Sequence, residues 1–571
     1  MENIEFKKFS DIEYKRPDFK EAKTRINALI KELKSANNYK EFKDAYSKIE
    51  LIIRDIFSMT TISSIRNTMN MNDEFYDKEE EYINKASAVL SLSFLKLQKV
   101  VLNSKFRKEI DSDYGPFLLK SLEEAKKVSS PKIIFLSIKE GQLSKEYSKI
   151  AATAKTNFMG ENVNFYGLLK HMQSTDREER KNAFLEYSKL YESISDKLDE
   201  IYTKLVNIRV KIAKRLKFNS YIDYIYIARG RYDYNKDDVA KFREGVRKYI
   251  VPICNRLFEE QKEELGIDEL YFYDEDLTFK DGNANPIGNK DELVLKAKEM
   301  YSDLSKETKE FFEFMTEHEL YDLETREGKH MGGYCTYIPS YKATFIFSNF
   351  NGTSDDVDVL THEAGHAFQG YLGMRSIANI QQVGSTSEIN EIHSMTMELF
   401  TYKYMEKFFG ENKDKYLYHH LTNAIKTIPY LVSVDEYQHK VFEKPKMSAK
   451  ERRDCWKKIE ETYMPWRNYA DDGFFSNGAY WMIKQHIFLY PFYYVDYALA
   501  QVCAFQLFLR GKEDFNLAWN DYLNLCKAGG TKGYFDLLKV ANLENPFNED
   551  TIKNVASKVD LVIKEFKANL K

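Results

Sequence analysis

The sequence predicts a mainly α-helical protein with one small β-sheet just ahead of a histidine-bearing helix. Three observations carry that expectation. Glycine and proline, which interrupt helices, are scarce, at 24 and 11 of 571 residues. Apolar residues recur at three-and-four spacing over long stretches, as in KEFKDAYSKIELIIRDIF. One run, Ala343 to Phe350 (ATFIFSNF), is β-branched and aromatic and stops at the turn dipeptide Asn351-Gly352.

Taken in order, Asp18 opens an amphipathic helix that runs to about Ser35. Further helical patterns cover roughly 40–70, 74–104, 117–128 and 177–215. Asp281 to Gly288 (DGNANPIG) reads as a loop. A second strand, Gly333 to Ile338, stops at Pro339. LTHEAGHAFQ (Leu360 to Gln369) then reads as a helix, and the loop Gly373 to Ser385 lets the next helix, SEINEIHSMTMELF, fold back on it. Ile487 to Leu509 is apolar enough to suggest a membrane span. It contains Pro491, Asp496, Gln501 and Gln506, so a buried, functional stretch is expected instead, with no membrane association.

Hydrophobic residues make up 43% and charged residues 30%, which suits a chain that buries a large core. A net charge of −4 without a Lys/Arg block excludes a nucleic-acid surface. The five cysteines are odd in number, far apart and free of CxxC spacing, as expected of reduced thiols in a cytoplasmic protein. The first twenty residues are charged throughout, so no secretory signal is expected there. Oligomeric state is left open.

Ten histidines serve the whole chain, and two of them, His362 and His366, are four apart. On a helix that spacing aims both imidazoles at one point, while Glu363 sits one step round, able to reach a water there without ligating a metal. This HExxH arrangement is that of zinc hydrolases. A catalytic zinc needs a third ligand. Glu388, Glu391 and Glu398 share one stripe of the following helix beside the apolar Ile392, Met395 and Leu399, so any of the three could face inward.

With these motifs the sequence resembles the oligoendopeptidase F and thimet oligopeptidase group of zinc metallopeptidases, on the bacterial Pz-peptidase-like oligoendopeptidase branch. The likeness is carried by SNFNGTSDDVDVLTHEAGHAFQ, EINEIHSMTMELF, YIARGRYDY, GGYCTYIP and QHIFLYPFYYVDYALAQ. It implies a two-lobed helical fold around a deep channel, with residues 1–165 forming part of the channel wall and 166–571 the catalytic region. It also implies one zinc per chain, held by His362, His366 and Glu391, with Glu363 as general base. Glu388 and Asp358, each about one turn from a ligand, are then candidates to orient a ligand histidine.

For the substrate, Pro491 ends one helix and starts another, which places Tyr494 and Tyr497 on one face. His486 lies before that break. The resemblance implies that these three reach the scissile carbonyl and its neighbours. Gly332, Gly333 and Tyr334 resemble a glycine-rich loop that closes over substrate. The run containing Phe347, Ser348 and Asn349 is expected at the sheet edge, where an extended peptide can add as a strand. The expected activity is cleavage of internal bonds in short unfolded peptides. A dipeptidyl carboxypeptidase-type exopeptidase and a non-hydrolytic peptide-binding protein are the rivals; product masses separate the first, and an intact Glu363 argues against the second.

Overall fold

The computed structural model describes residues 6–570. It is mainly helical with only small sheets. The chain divides into two compact units, each assembled from three separate stretches. The first unit takes residues up to 126, 285–413 and 504–544, and the second takes 127–284, 414–503 and those from 545 on.

In the first unit, the carboxylate of Asp18 accepts the N–H groups of Lys20 and Glu21 at 2.9 Å and starts the helix Phe19–Ser35. Its inner stripe of Ala22, Ile26, Ile30 and Leu33 buries against Phe42, Ala45 and Ile49 of the helix Tyr39–Met69.

The described residues hold five strands. β1 (Thr156–Phe158) and β2 (Glu161–Val163) form a hairpin in the second unit. β3 (Tyr321–Glu324), β4 (Tyr334–Ile338) and β5 (Ala343–Phe350) form a sheet in the first unit, in the order β3-β5-β4. β5 runs parallel to β3 and antiparallel to β4. This corrects the expectation that 343–350 is the edge. β5 is the central strand, and Phe347 and Ser348 are buried in it. The continuous apolar run ATFIF, lacking the in–out alternation of a half-exposed strand, is what a strand covered on both faces requires. The outer strand on the loop side is β4, entered from the exposed Gly332 and Gly333. Asn349 ties that loop to the end of β5 by donating to the carbonyls of His330 (2.9 Å) and Gly332 (2.8 Å).

The chain leaves β5 at Gly352, whose φ of +90° is open to glycine. Asp356 accepts the N–H groups of Asn351 (2.9 Å) and Gly352 (2.8 Å) and locks this corner. The histidine helix then runs Asp355–Ser376, passing through Gly373, where the sequence suggested a loop. Two of its glycines set close approaches. A Cβ on Gly365 would lie 2.6 Å from Ser394 Cα and 2.7 Å from the His393 carbonyl oxygen, both backbone atoms of the helix Ser387–Phe400. A Cβ on Gly370 would lie 2.5 Å from the Tyr337 ring of β4. The helix Phe515–Ala528 also packs here, and the Tyr522 hydroxyl donates to the His393 carbonyl at 2.8 Å.

In the second unit, the 39-residue helix Arg177–Arg215 matches its predicted span. The helix Gln485–Leu489 gives way at Pro491 to the helix Tyr494–Glu513, as the sequence suggested. Among the described residues, no helix is long and apolar enough to cross a membrane. Among the described residues, none of the five cysteines is joined in a disulfide.

Candidate metal centre

His362 and His366 stand one turn apart on the helix Asp355–Ser376, with ring centroids 4.9 Å apart. The fold-back anticipated from the sequence brings Glu391 to them. Its Oε2 lies 3.3 Å from His362 Nε2 and 3.5 Å from His366 Nε2, and the three donor atoms fall within 4.8 Å of one another. Tetrahedral zinc with bonds near 2.0–2.1 Å separates its ligand atoms by about 3.4 Å. The donor set therefore fits a zinc ion in both chemistry and spacing.

Two of the donors, His362 and Glu391, are held from behind. Glu398 Oε1 sits 2.5 Å from His362 Nδ1. That contact keeps the proton on Nδ1 and turns the Nε2 lone pair toward the centre. Ser394 Oγ donates to Glu391 Oε2 at 3.1 Å. Burial disfavours charge on His362, yet the Glu391 and Glu398 carboxylates outweigh it and raise its pKa well above the usual histidine value. Burial likewise opposes ionisation of Glu391, but the two histidines win and hold its pKa well below that of an ordinary carboxylate. The centre is thus arranged to hold positive charge between an ionised Glu391 and the imidazoles, and protons compete with a metal for it.

Glu363, 8% exposed, lies beside this cluster. Burial first, then the neighbouring Glu391 and Glu398, push its pKa up, against the pull of His362 and His366. Among the described residues its Oε2 has no hydrogen-bond partner. The predicted glycine loop passes close by: a Cβ on Gly333 would be 3.9 Å from Glu363 Oε1. Tyr334 follows, its ring stacked on Phe347 at 4.9 Å and its hydroxyl 2.6 Å from that of Thr68. Of the two carboxylates expected to orient a ligand, Glu388 is buried and Asp358 is partly exposed. The contact to His362 Nδ1 belongs instead to Glu398, which the sequence reading considered only as a ligand. Its position seven residues after Glu391, two turns along the same face, was the available signal. Gly365 was also missed, although a glycine inside an otherwise good helix marks a close approach.

In the second unit the structure gathers the other three predicted residues. The His486 ring lies 4.8 Å from that of Tyr494 and 6.4 Å from that of Tyr497, and the two tyrosine rings are 5.8 Å apart at 85°. Tyr493, beside them, is partly exposed and packs on Tyr497 at 5.0 Å.

A helical fold carrying a His/His/Glu donor set with a buried glutamate beside it defines the class of metallopeptidases. The chain belongs to peptidase family M3: residues 170–557 match peptidase family M3, and residues 9–129 match the peptidase M3 N-terminal domain. It is similar to the solved structure of Pz peptidase A with an inhibitor, at 40% identity and a TM-score of 0.93, covering 98% of this chain and 99% of that one. It is 22% identical to the oligoendopeptidase F homologue of Borreliella burgdorferi over 543 residues, 90% of each chain. Over 219 residues it is 29% identical to the chromosomal oligoendopeptidase F of Lactococcus lactis subsp. cremoris, spanning 37% of this chain and 34% of that one.

Proposed function

We propose that this peptidase is a zinc-dependent oligoendopeptidase that cuts internal bonds of short unfolded peptides in the cytoplasm, with one zinc per chain. The observation that carries the reading is the convergence of His362, His366 and Glu391 to zinc-ligand spacing, with the unpartnered Oε2 of Glu363 alongside. When bound, zinc supplies Lewis-acid chemistry, acidifying a water and polarising the scissile carbonyl. Glu363 removes a proton from the attacking water and delivers it to the leaving amine; its raised proton affinity suits both transfers. Glu398 keeps His362 in the ligating tautomer, with Glu388 and Asp358 as further supports of the ligand set.

The peptide backbone is gripped along β4, where Gly332, Gly333 and Tyr334 lead into the strand; Phe347, Ser348 and Asn349 support it from β5. His486, Tyr494 and Tyr497 donate hydrogen bonds to the carbonyl oxygen as negative charge develops on it. Metal analysis combined with kinetics tests the proposal. Glu363→Gln should retain zinc and lose turnover, and Glu391→Ala should lose zinc. Full zinc in Glu391→Ala protein, with none after Glu398→Ala, would overturn the ligand set. Product masses from one peptide digest decide between internal cleavage and dipeptide release.

A further inference from the structure

The motif Tyr226-Ile-Ala-Arg-Gly-Arg-Tyr232 has no part in the chemistry above, yet its two arginines converge on the base of the tyrosine helix. The helix Tyr221–Ala228 ends at Gly230, whose φ is +78°. Gly230 N–H donates to the Ile227 carbonyl (3.0 Å) and Arg231 N–H to the Tyr226 carbonyl (2.9 Å), the paired bonds of a Schellman stop. That reversal lets Arg229 and Arg231 reach the same carboxylate. Asp496 is fully buried between Tyr494 and Tyr497. Its Oδ1 takes Arg231 Nη2 at 2.6 Å, and its Oδ2 takes Arg229 Nη2 at 3.3 Å. The same guanidiniums reach back to the preceding turn, Arg229 to the Pro491 carbonyl (3.4 Å) and Arg231 to the Phe492 carbonyl.

That turn needs holding. Phe492 has φ +62°, a conformation that is strained for a non-glycine residue and persists only where its surroundings over-determine it. Besides the Arg231 contact at its carbonyl, the Phe492 N–H donates to Gln438 Oε1 at 3.0 Å. Its ring is buried against His439 and Phe442. A buried Arg231 and a part-buried Arg229 on one buried, helix-borne carboxylate are not explained by stability alone, because an apolar replacement of similar volume is often as stable. What the forked, planar guanidiniums add over such packing is direction: several bonds at fixed angles on two turn carbonyls and one carboxylate.

We propose that Arg229 and Arg231 are positioning residues that clamp the 491–496 turn and so set where the Tyr494 and Tyr497 hydroxyls stand. The inference rests on the reading that Tyr497 serves the reaction. A shift of about 1 Å in a group that acts only in the transition state costs up to about 100-fold in rate while substrate binding is kept. Arg231→Lys keeps the charge and loses the fork. Zinc-loaded full-length protein carrying it should show kcat lowered about tenfold, KM within about twofold of the parent and an unchanged zinc content.

The discriminating measurement is the double-mutant cycle with Tyr497→Phe. If the arginine acts through the tyrosine, Arg231→Lys should lower kcat by less than about twofold further in the Tyr497→Phe background. Equal losses in both backgrounds, or a parent-like kcat in Arg231→Lys while Tyr497→Phe is impaired, would overturn the clamp and leave the tyrosine's role standing. A parent-like kcat in Tyr497→Phe itself would instead remove the role of Tyr497, and the clamp with it. Should Arg231→Lys not fold, Arg229→Lys carries the same cycle, since that side chain keeps 14% exposure at the rim.

Discussion

Replacing Gly365 with alanine tests whether a single hydrogen atom sets the geometry of the metal centre. The new Cβ would stand 2.6 Å from Ser394 Cα and 2.7 Å from the His393 carbonyl oxygen. Both are backbone atoms, so no side chain can swing away. Carbon atoms normally pack at about 3.5–4.0 Å, so the helix Ser387–Phe400 must retreat by about 1 Å. Glu391 lies on that helix, and its Oε2 now sits 3.3 and 3.5 Å from the two histidine nitrogens. Metal–ligand distances tolerate about ±0.2 Å, so the retreat should uncouple Glu391 from the histidines. Zinc dissociation should strengthen at least tenfold, about 1.4 kcal/mol in binding. Folding stability should suffer less: overpacking costs about 1–3 kcal/mol, and alanine regains about 1 kcal/mol of helix propensity. Competition against a chromogenic chelator measures the first effect, and denaturant unfolding of the metal-free protein measures the second. Gly141→Ala is the control, because its Cβ would meet nothing within 4 Å; it should leave zinc binding alone and stabilise by up to about 1 kcal/mol. Parent-like zinc affinity and turnover in Gly365→Ala would refute the idea that this glycine sets the approach of Glu391.

Glu398→Gln should weaken zinc binding by about 10–100-fold with little change in fold, measured by the same competition; an unchanged affinity would show that the 2.5 Å contact to His362 does not orient the ligand. Burial pushes Glu50 up to about 7, against the pull of Arg54. The folded state therefore keeps this proton after the unfolded state has lost it, and stability falls as pH rises from about 4.5 to about 7. Glu50→Gln should match the parent near pH 4.5 and exceed it by up to about 3 kcal/mol at pH 8, read from denaturant unfolding at both; a gap independent of pH would remove Glu50 as the cause. Intact unfolded casein should be cut far more slowly than its own fragments of roughly 5–20 residues, an extended reach of about 3.3–3.6 Å per residue; comparable cleavage inside intact casein would exclude a size-limited site.

What proved legible in the sequence was whatever depends on near neighbours along the chain. His362 and His366 share a helical face by spacing alone, Asp18 caps its helix through N–H groups two and three residues on, and Pro491 forces a break wherever the chain goes. The spans 19–35, 39–69 and 177–215 follow from periodicity that each helix reads within itself. The tertiary structure decided the matters in which distant segments meet. Glu388, Glu391 and Glu398 are equivalent on a stripe until the Gly365 approach sets the register of two helices and brings Glu391 to the imidazole nitrogens and Glu398 to the far side of His362. A strand does not announce its neighbours, so β5 became central only when the four-residue β3, too short to signal itself, paired beside it. The left-handed turn at Phe492 defies the local preference of phenylalanine and exists because Arg231 and Gln438, 261 and 54 residues away in sequence, hold both its ends. Local rules select elements because their energies involve a few adjacent residues; register, edges and strain are selected by contacts whose partners are known only once the chain has folded.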